Sequence, residues 1–114
     1  MKIILICALF LPGLSNGQNS DTIDIVKKID SLIKASNTLI SQNNFEKALE
    51  INSTARKLAL EKLGKETASY GSVCFNRGRV MYYKGDYPES EKWFLSAKEI
   101  REKEIGRASC RERV

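Results

Sequence analysis

The chain has 114 residues, with 19 Lys+Arg against 14 Asp+Glu, no histidine and three cysteines. Its net charge of +5 is largely an end effect: from Gln18 to Glu104 the balance is 15 Lys+Arg against 13 Asp+Glu, without the clustered positive charge that nucleic-acid binding needs. The missing histidine removes the commonest general base and the commonest metal ligand, and a chain this short supports one small core.

The chain opens on Met1-Lys2, runs apolar from Ile3 to Leu11 and breaks at Pro12-Gly13. Ser15-Asn16-Gly17 then places small residues at a cleavage position. One positive charge, a short apolar run and a small-residue site make residues 1–17 a secretory signal, with the mature chain starting at Gln18. The apolar run falls short of the roughly 20 residues that a stable bilayer span requires. An uncleaved N-terminal anchor is the alternative. Export to a periplasm, a cell surface or the medium follows from the signal, with no membrane span in the mature part.

Four helices follow from the periodicity. The first runs from about Thr22 to Ser41, with Asp21 as a plausible N-cap and an apolar stripe of Ile23, Val26, Ile29, Leu32, Ile33 and Ile40. Residues 18–43 thus form the first, or capping, helix of the helical array. The second helix runs from about Phe45 to Leu63 on a stripe of Phe45, Ala48, Leu49, Ala55, Leu58 and Ala59. Asn44 can cap its free amides, and Gly64 can supply a left-handed stop. The third spans about Ala68 to Tyr83 and ends in the polar turn Lys84-Gly85-Asp86. The fourth starts near Tyr87, with Pro88 in its first turn, where no intrahelical amide bond is lost. No alternating run is long enough for a strand.

Ile105 to Val114 departs from this pattern and adds unbalanced arginines. One permitted back-translation, ATC GGA AGA GCG TCG TGT AGG GAA AGA GTG, resembles a common short-read sequencing adapter. The expectation is a non-native tail at 105–114 and a chain that is the N-terminal part of a longer protein; a genuine basic tail is the alternative. Cys7 then leaves with the signal and Cys110 belongs to the tail. Cys74 remains, on a helix, where a lone cysteine packs as a small apolar group.

A shift of 42 residues aligns two segments: Asn44-Phe45 with Asp86-Tyr87, Ala48 with Ser90, Ala55 with Ala97 and Leu58 with Ile100. Leu63 and Gly64 align with Ile105 and Gly106, inside the suspect tail. Short loops between neighbouring helices force antiparallel pairs, so the architecture is all-α, two stacked helix hairpins. Gly78 and Ala97 sit where paired backbones approach closely. Tyr82, Tyr87, Trp93 and Phe94 fill space between hairpins. A single hairpin cannot bury its own faces, so two hairpins with nothing beyond them leave an apolar edge.

Asn76-Arg77-Gly78, Met81-Tyr82-Tyr83, Gly85-Asp86-Tyr87, Ser90, Phe94 and Ala97 resemble the tetratricopeptide repeat (TPR) pattern. The long period, closed by Ile100-Arg101-Glu102-Lys103-Glu104 and linked by Lys62-Leu63-Gly64-Lys65-Glu66, is similar to the kinesin-light-chain subtype. The resemblance covers about Leu32 to Glu104, with residues 44–104 as the repeats. It departs at Thr67-Ala68, where the subtype has His-Pro. Arg77 stands for an apolar residue, Ser36 for a glycine and Asn52 for an aromatic.

The resemblance implies an α-solenoid of about two units whose concave face is built by the first helix of each hairpin. That face would show Asn37, Ser72, Phe75, Arg79 and Tyr82, with Tyr83, Asp30, Ile33 and Ile40 beside them. An arginine beside aromatic rings suits an extended peptide, forking to a carboxylate while the rings bury apolar side chains. The alternative is that Phe75 and Tyr82 pack between hairpins. The carboxylate clamp of some family members is not reproduced, because Ile33 precedes Asn37 and Phe75 precedes Arg79.

The expected function is therefore an exported scaffold binding a protein or peptide, not an enzyme, with no cofactor and no metal. The alternative is the repeat region of a larger protein, such as a CHAT-type peptidase or a TPR-linked sensor histidine kinase. Glu89, Glu91, Glu99, Glu102 and Glu104 alternate with Lys92, Lys98, Arg101 and Lys103, which reads as a solvated helix face rather than an acid–base pair. Lys62 to Thr67 lacks phosphate-loop spacing. Serines and threonines have no histidine to activate them.

Overall fold

The computed structural model describes the backbone of residues 2–113 and the side chains of residues 21–106. Four helices follow one another: α1 (Lys2–Ser41), α2 (Phe45–Lys62), α3 (Ala68–Lys84) and α4 (Tyr87–Arg113). No strand occurs among the described residues. α1 pairs with α2 and α3 with α4, and α3 lies against both helices of the first pair. The fold is all-α, two stacked helix hairpins.

The two outer helices are longer than the sequence suggested. α1 begins at Lys2, not near Thr22, so Asp21 is an interior residue and not an N-cap. Nothing between Gly17 and Asp21 stops a helix: no proline follows Pro12 until Pro88. The expected signal therefore belongs to the same helix, and its side chains lie outside the described residues. At the other end α4 runs on to Arg113. Ala, Arg and Glu in the tail are strong helix formers, so leaving the repeat pattern does not end the helix. Gly106 accordingly lies inside α4, whereas Gly64, its match by the 42-residue shift, adopts φ 99° after α2.

The turns inside the two hairpins are copies of one another. Asn43 and Gly85 both take left-handed backbone, at φ 62° and 98°. The amides that follow them reach back to equivalent carbonyls: Asn44 N to Leu39 O at 2.8 Å, and Asp86 N to Met81 O at 2.9 Å. These bonds satisfy carbonyls that a helix end would otherwise leave unpaired. Asn44 then accepts from Lys47 N and Asp86 Oδ1 from Glu89 N, each at 3.4 Å, capping α2 and α4. Between the hairpins, Thr67 Oγ1 donates to Gly64 O (2.9 Å) and accepts from Tyr70 N (3.3 Å), starting α3.

Where paired helices cross, one hydroxyl holds each pair. In the first hairpin Ser36 on α1 donates to Ala48 O on α2 at 3.0 Å. In the second Ser90 on α4 donates to Gly78 O on α3 at 2.8 Å. Ser36 aligns with Gly78 and Ala48 with Ser90, so the bond is kept while the hydroxyl changes helix. Both crossings demand small residues, and Ser36, Ala48, Gly78 and Ser90 are all buried.

The core has two apolar clusters. One joins Ile29, Ala55, Ala59 and Val73; the other joins Ile40, Ala48 and Val80. Each draws on α1, α2 and α3. Ile23, assigned to the stripe of α1, is exposed instead, because α1 overruns the end of α2 there.

Gly78 is constrained by α4. A Cβ at this position would lie 2.6 Å from Phe94 Cδ1, whereas at Gly71 it would meet only the Ile100 branch, at 3.2 Å. Overpacking costs about 1–3 kcal/mol and the helix gain from Gly to Ala is about 1 kcal/mol. Gly78→Ala is therefore expected to lower unfolding free energy by about 1–2 kcal/mol, and Gly71→Ala to be near neutral. Denaturant melts check this; the loss at Gly78 should shrink when Phe94→Leu is added.

Candidate functional site

Between the two apolar clusters lies a layer of polar side chains. Asn52 on α2 is fully buried, and Asn76 on α3 nearly so. Asn52 Nδ2 donates to Asn76 Oδ1 (2.8 Å) and to Val73 O (3.0 Å). Asn76 Nδ2 donates onward to Asn37 Oδ1 on α1 (2.9 Å), which also accepts from Arg79 Nη1 (3.0 Å). At the other end Arg77 Nη1 donates to Asn52 Oδ1 (2.8 Å) and Ser53 Oγ (3.3 Å). Three amides in line join three helices, and an arginine closes each end.

The Arg77 end is buttressed by Trp93. The guanidiniums of Arg77 and Arg56 lie 5.0 and 5.3 Å from the centroid of that ring, a cation–π arrangement. The Nε atoms of both are buried without a hydrogen-bond partner. Burial, and then the neighbouring Arg56 charge, pull the Arg77 pKa down from its ordinary value. Arginine starts so high that Arg77 stays cationic at neutral pH. Cys74 is buried beside this end, and burial pushes its thiol up, so it is protonated at neutral pH.

The Arg79 end opens onto the α1–α3 side, where the candidate binding residues were placed. Ser72, Phe75, Arg79 and Tyr82 follow one another at helical spacing along a single stripe of α3. Asn37 and Arg79, 42 residues apart, are brought into direct contact. Ser72, Phe75 and Tyr82 occupy the other edge of the stripe, facing α4. Ser72 lines a groove with Gly71, Ala97 and Ile100. Phe75 stacks on Phe94 at 5.2 Å and stays 43% exposed. Tyr82 makes edge contacts with Tyr83 (5.4 Å) and Tyr87 (5.5 Å). Tyr82 and Tyr87, expected to fill space between hairpins, are both exposed. Of the first-hairpin residues, Asp30 is exposed, whereas Ile33 and Ile40 pack into the core clusters beneath α3.

Sequence reasoning missed the amide layer. Asn52 and Arg77 registered as separate departures from the repeat pattern, yet each is the other's partner. An asparagine within the stripe of Ala48, Ala55 and Ala59 was the signal available. Among the described residues no group of His, Cys, Asp and Glu is placed to hold a metal, and no helix is long and apolar enough to cross a membrane. The acidic and basic residues of α4 are mostly exposed, with Lys92 pairing Glu89 (3.7 Å) and Lys103 pairing Glu66 (3.2 Å). Comparison with protein-family models, with curated proteins and with solved structures finds no match.

Removing one amide orphans its neighbours in a buried layer. Asn52→Ala is expected to cost about 2–4 kcal/mol, because Asn76 and Arg77 both lose a partner. Asn76→Ala should behave similarly. The double variant should cost at least about 1 kcal/mol less than the two together. A double-mutant cycle by urea unfolding reads this, and strict additivity would show that the layer does not act as a unit.

Proposed function

We propose that this chain is a binding scaffold of the tetratricopeptide kind, taking a protein or an extended peptide along the α1–α3 side. The observation that carries the reading is the Asn37–Arg79 contact. Residues at the same repeat position on successive leading helices meet there, beside the exposed Phe75 and Tyr82. A guanidinium has five N–H donors and the bond to Asn37 engages one nitrogen. Arg79 is thus held in place by the amide layer while able to fork to a carboxylate. Phe75 and Tyr82 offer large rigid surfaces that lose little conformational entropy on binding. Such a scaffold needs neither a nucleophile nor a cofactor; its specificity lies in the spacing of charge and rings.

The test is an array of extended peptides pairing acidic with aromatic residues, probed with the labelled full chain. Peptides retained above scrambled controls should bind Arg79→Ala at least about tenfold more weakly, the loss of a charge-assisted bond. Lys57→Ala, at an exposed position of α2, should leave binding unchanged. Failure to retain any peptide, or indifference to Arg79→Ala, removes this reading.

The scaffold is proposed to work outside the cytoplasm, on the strength of the signal-like residues 1–17. Mass spectrometry of the expressed protein should find an exported form starting at Gln18. A chain that keeps Met1 and stays inside the cell overturns the export proposal and leaves the binding proposal standing.

A further inference from the structure

At the Arg77 end of the amide layer two guanidiniums share one indole ring. Arg56 on α2 and Arg77 on α3 lie 5.3 and 5.0 Å from the centroid of Trp93 on α4, which holds them within about 10 Å of each other. Among the described residues no carboxylate forms an ion pair with either of them. Glu89, whose charge acts on Arg77, is paired with Lys92 at 3.7 Å. No hydrogen bond engages the Arg56 guanidinium, whose Nε is buried while the residue as a whole stays partly exposed. Its two Nη groups are therefore the part that faces water. Arg77 engages Nη1 with Asn52 and Ser53 and leaves Nη2 unengaged. Ser53 is exposed and accepts from Arg77, so its own hydroxyl proton is available to donate. Ser53 and Arg56 lie one turn apart on the same face of α2. Stacking on the ring explains one arginine, not a second of the same sign beside it. After burial, the Arg56 charge is what most pulls the Arg77 pKa down.

We infer that Ser53, Arg56 and Arg77 bind a phosphate group. The rigid fork of a guanidinium matches phosphate oxygens, and two forks from different helices approach one such group from different sides. A carboxylate suits the site less well. Its two oxygens lie in one plane, and a single guanidinium saturates them. A phosphate group brings three free oxygens to donors on three side chains, and its charge of about −1.5 to −2 at neutral pH matches two guanidiniums. Such an anion would also replace the repulsion between Arg56 and Arg77 by attraction to both. The cradle is built before the anion arrives. Trp93 backs both arginines and their Nε atoms are buried, so little side-chain freedom is left to lose on binding. The three residues sit where α2, α3 and α4 meet, at the opposite end of the amide layer from Arg79.

None of the three belongs to the α1–α3 binding stripe, so this inference stands or falls apart from the proposed function. The experiment titrates the full chain with inorganic phosphate from about 0.1 to 20 mM, with ionic strength held constant by chloride, and follows the phosphorus-31 NMR line. Saturable one-to-one binding is expected, with a dissociation constant of about 1 mM or tighter. Arg56→Gln removes a charge and breaks no hydrogen bond of the fold. It should weaken binding at least about tenfold, with circular dichroism unchanged. Ser53→Ala should weaken it about threefold. Lys27→Ala, which removes an exposed charge on α1, should leave it unchanged. O-phosphoserine in the same titration identifies the source. Tighter binding than inorganic phosphate means that a larger ligand carries the group; binding no tighter means free phosphate. Absence of saturation overturns the inference. So does binding that ignores Arg56→Gln or Ser53→Ala, binding that Lys27→Ala weakens as much as Arg56→Gln does, or acetate binding as tightly as phosphate.

Discussion

The arrangement of this molecule depends on one hydrogen bond between buried amides, Asn52 Nδ2 to Asn76 Oδ1 at 2.8 Å. It crosses from the first hairpin to the second, where no backbone bond does so among the described residues. Apolar clusters lie on either side of it, and neither alone fixes the height at which α3 sits. Alanine, isoleucine and valine surfaces tolerate sliding, because dispersion is nearly indifferent to which methyl meets which. An amide is not indifferent: moving α3 by one turn would strand Asn52 and Asn76 among hydrocarbon, at a cost of about 1–3 kcal/mol for each unsatisfied group. The apolar clusters supply attraction and the polar layer supplies register, much as a single buried asparagine does in a coiled coil.

The same logic explains why a stability-minded reading of the sequence would misjudge Arg77. A buried guanidinium is a liability when isolated. Here its charge is spread over an amide oxygen, a serine hydroxyl and the face of an indole. A buried arginine or a buried asparagine would each be damaging alone; here Arg77 and Asn52 bond to each other. The hydroxyls at the two helix crossings behave alike, with Ser36 and Ser90 on opposite partners making equivalent bonds.

Much of the fold was legible because helix periodicity and turn chemistry are local. α2 and α3 fall within one residue of the expected ends, and Asn44, Gly64, Gly85 and Asp86 mark the turns as their chemistry requires. The outer ends of α1 and α4 were not legible. Expected processing and tail signals were read as structural boundaries, yet no proline stands between Gly17 and Asp21 or after Ile105 to stop a helix there. The site was half legible. The tetratricopeptide resemblance nominated Asn37, Ser72, Phe75, Arg79 and Tyr82; the last four do lie at helical spacing along α3, and Asn37 meets Arg79. The amides joining them were not foreseen, because a buried polar contact depends on a partner 24 or 39 residues away. No periodicity encodes such a pairing.

The position of Trp93 has a consequence for observing this protein. It is the chain's single tryptophan, and its ring is covered by guanidiniums from α2 and α3 while its own backbone belongs to α4. Loss of the α3–α4 pairing withdraws Arg77 from the ring, and loss of hairpin docking withdraws Arg56. One fluorophore thus sits at the junction of both interfaces, and its emission is a native reporter for each of them without any label.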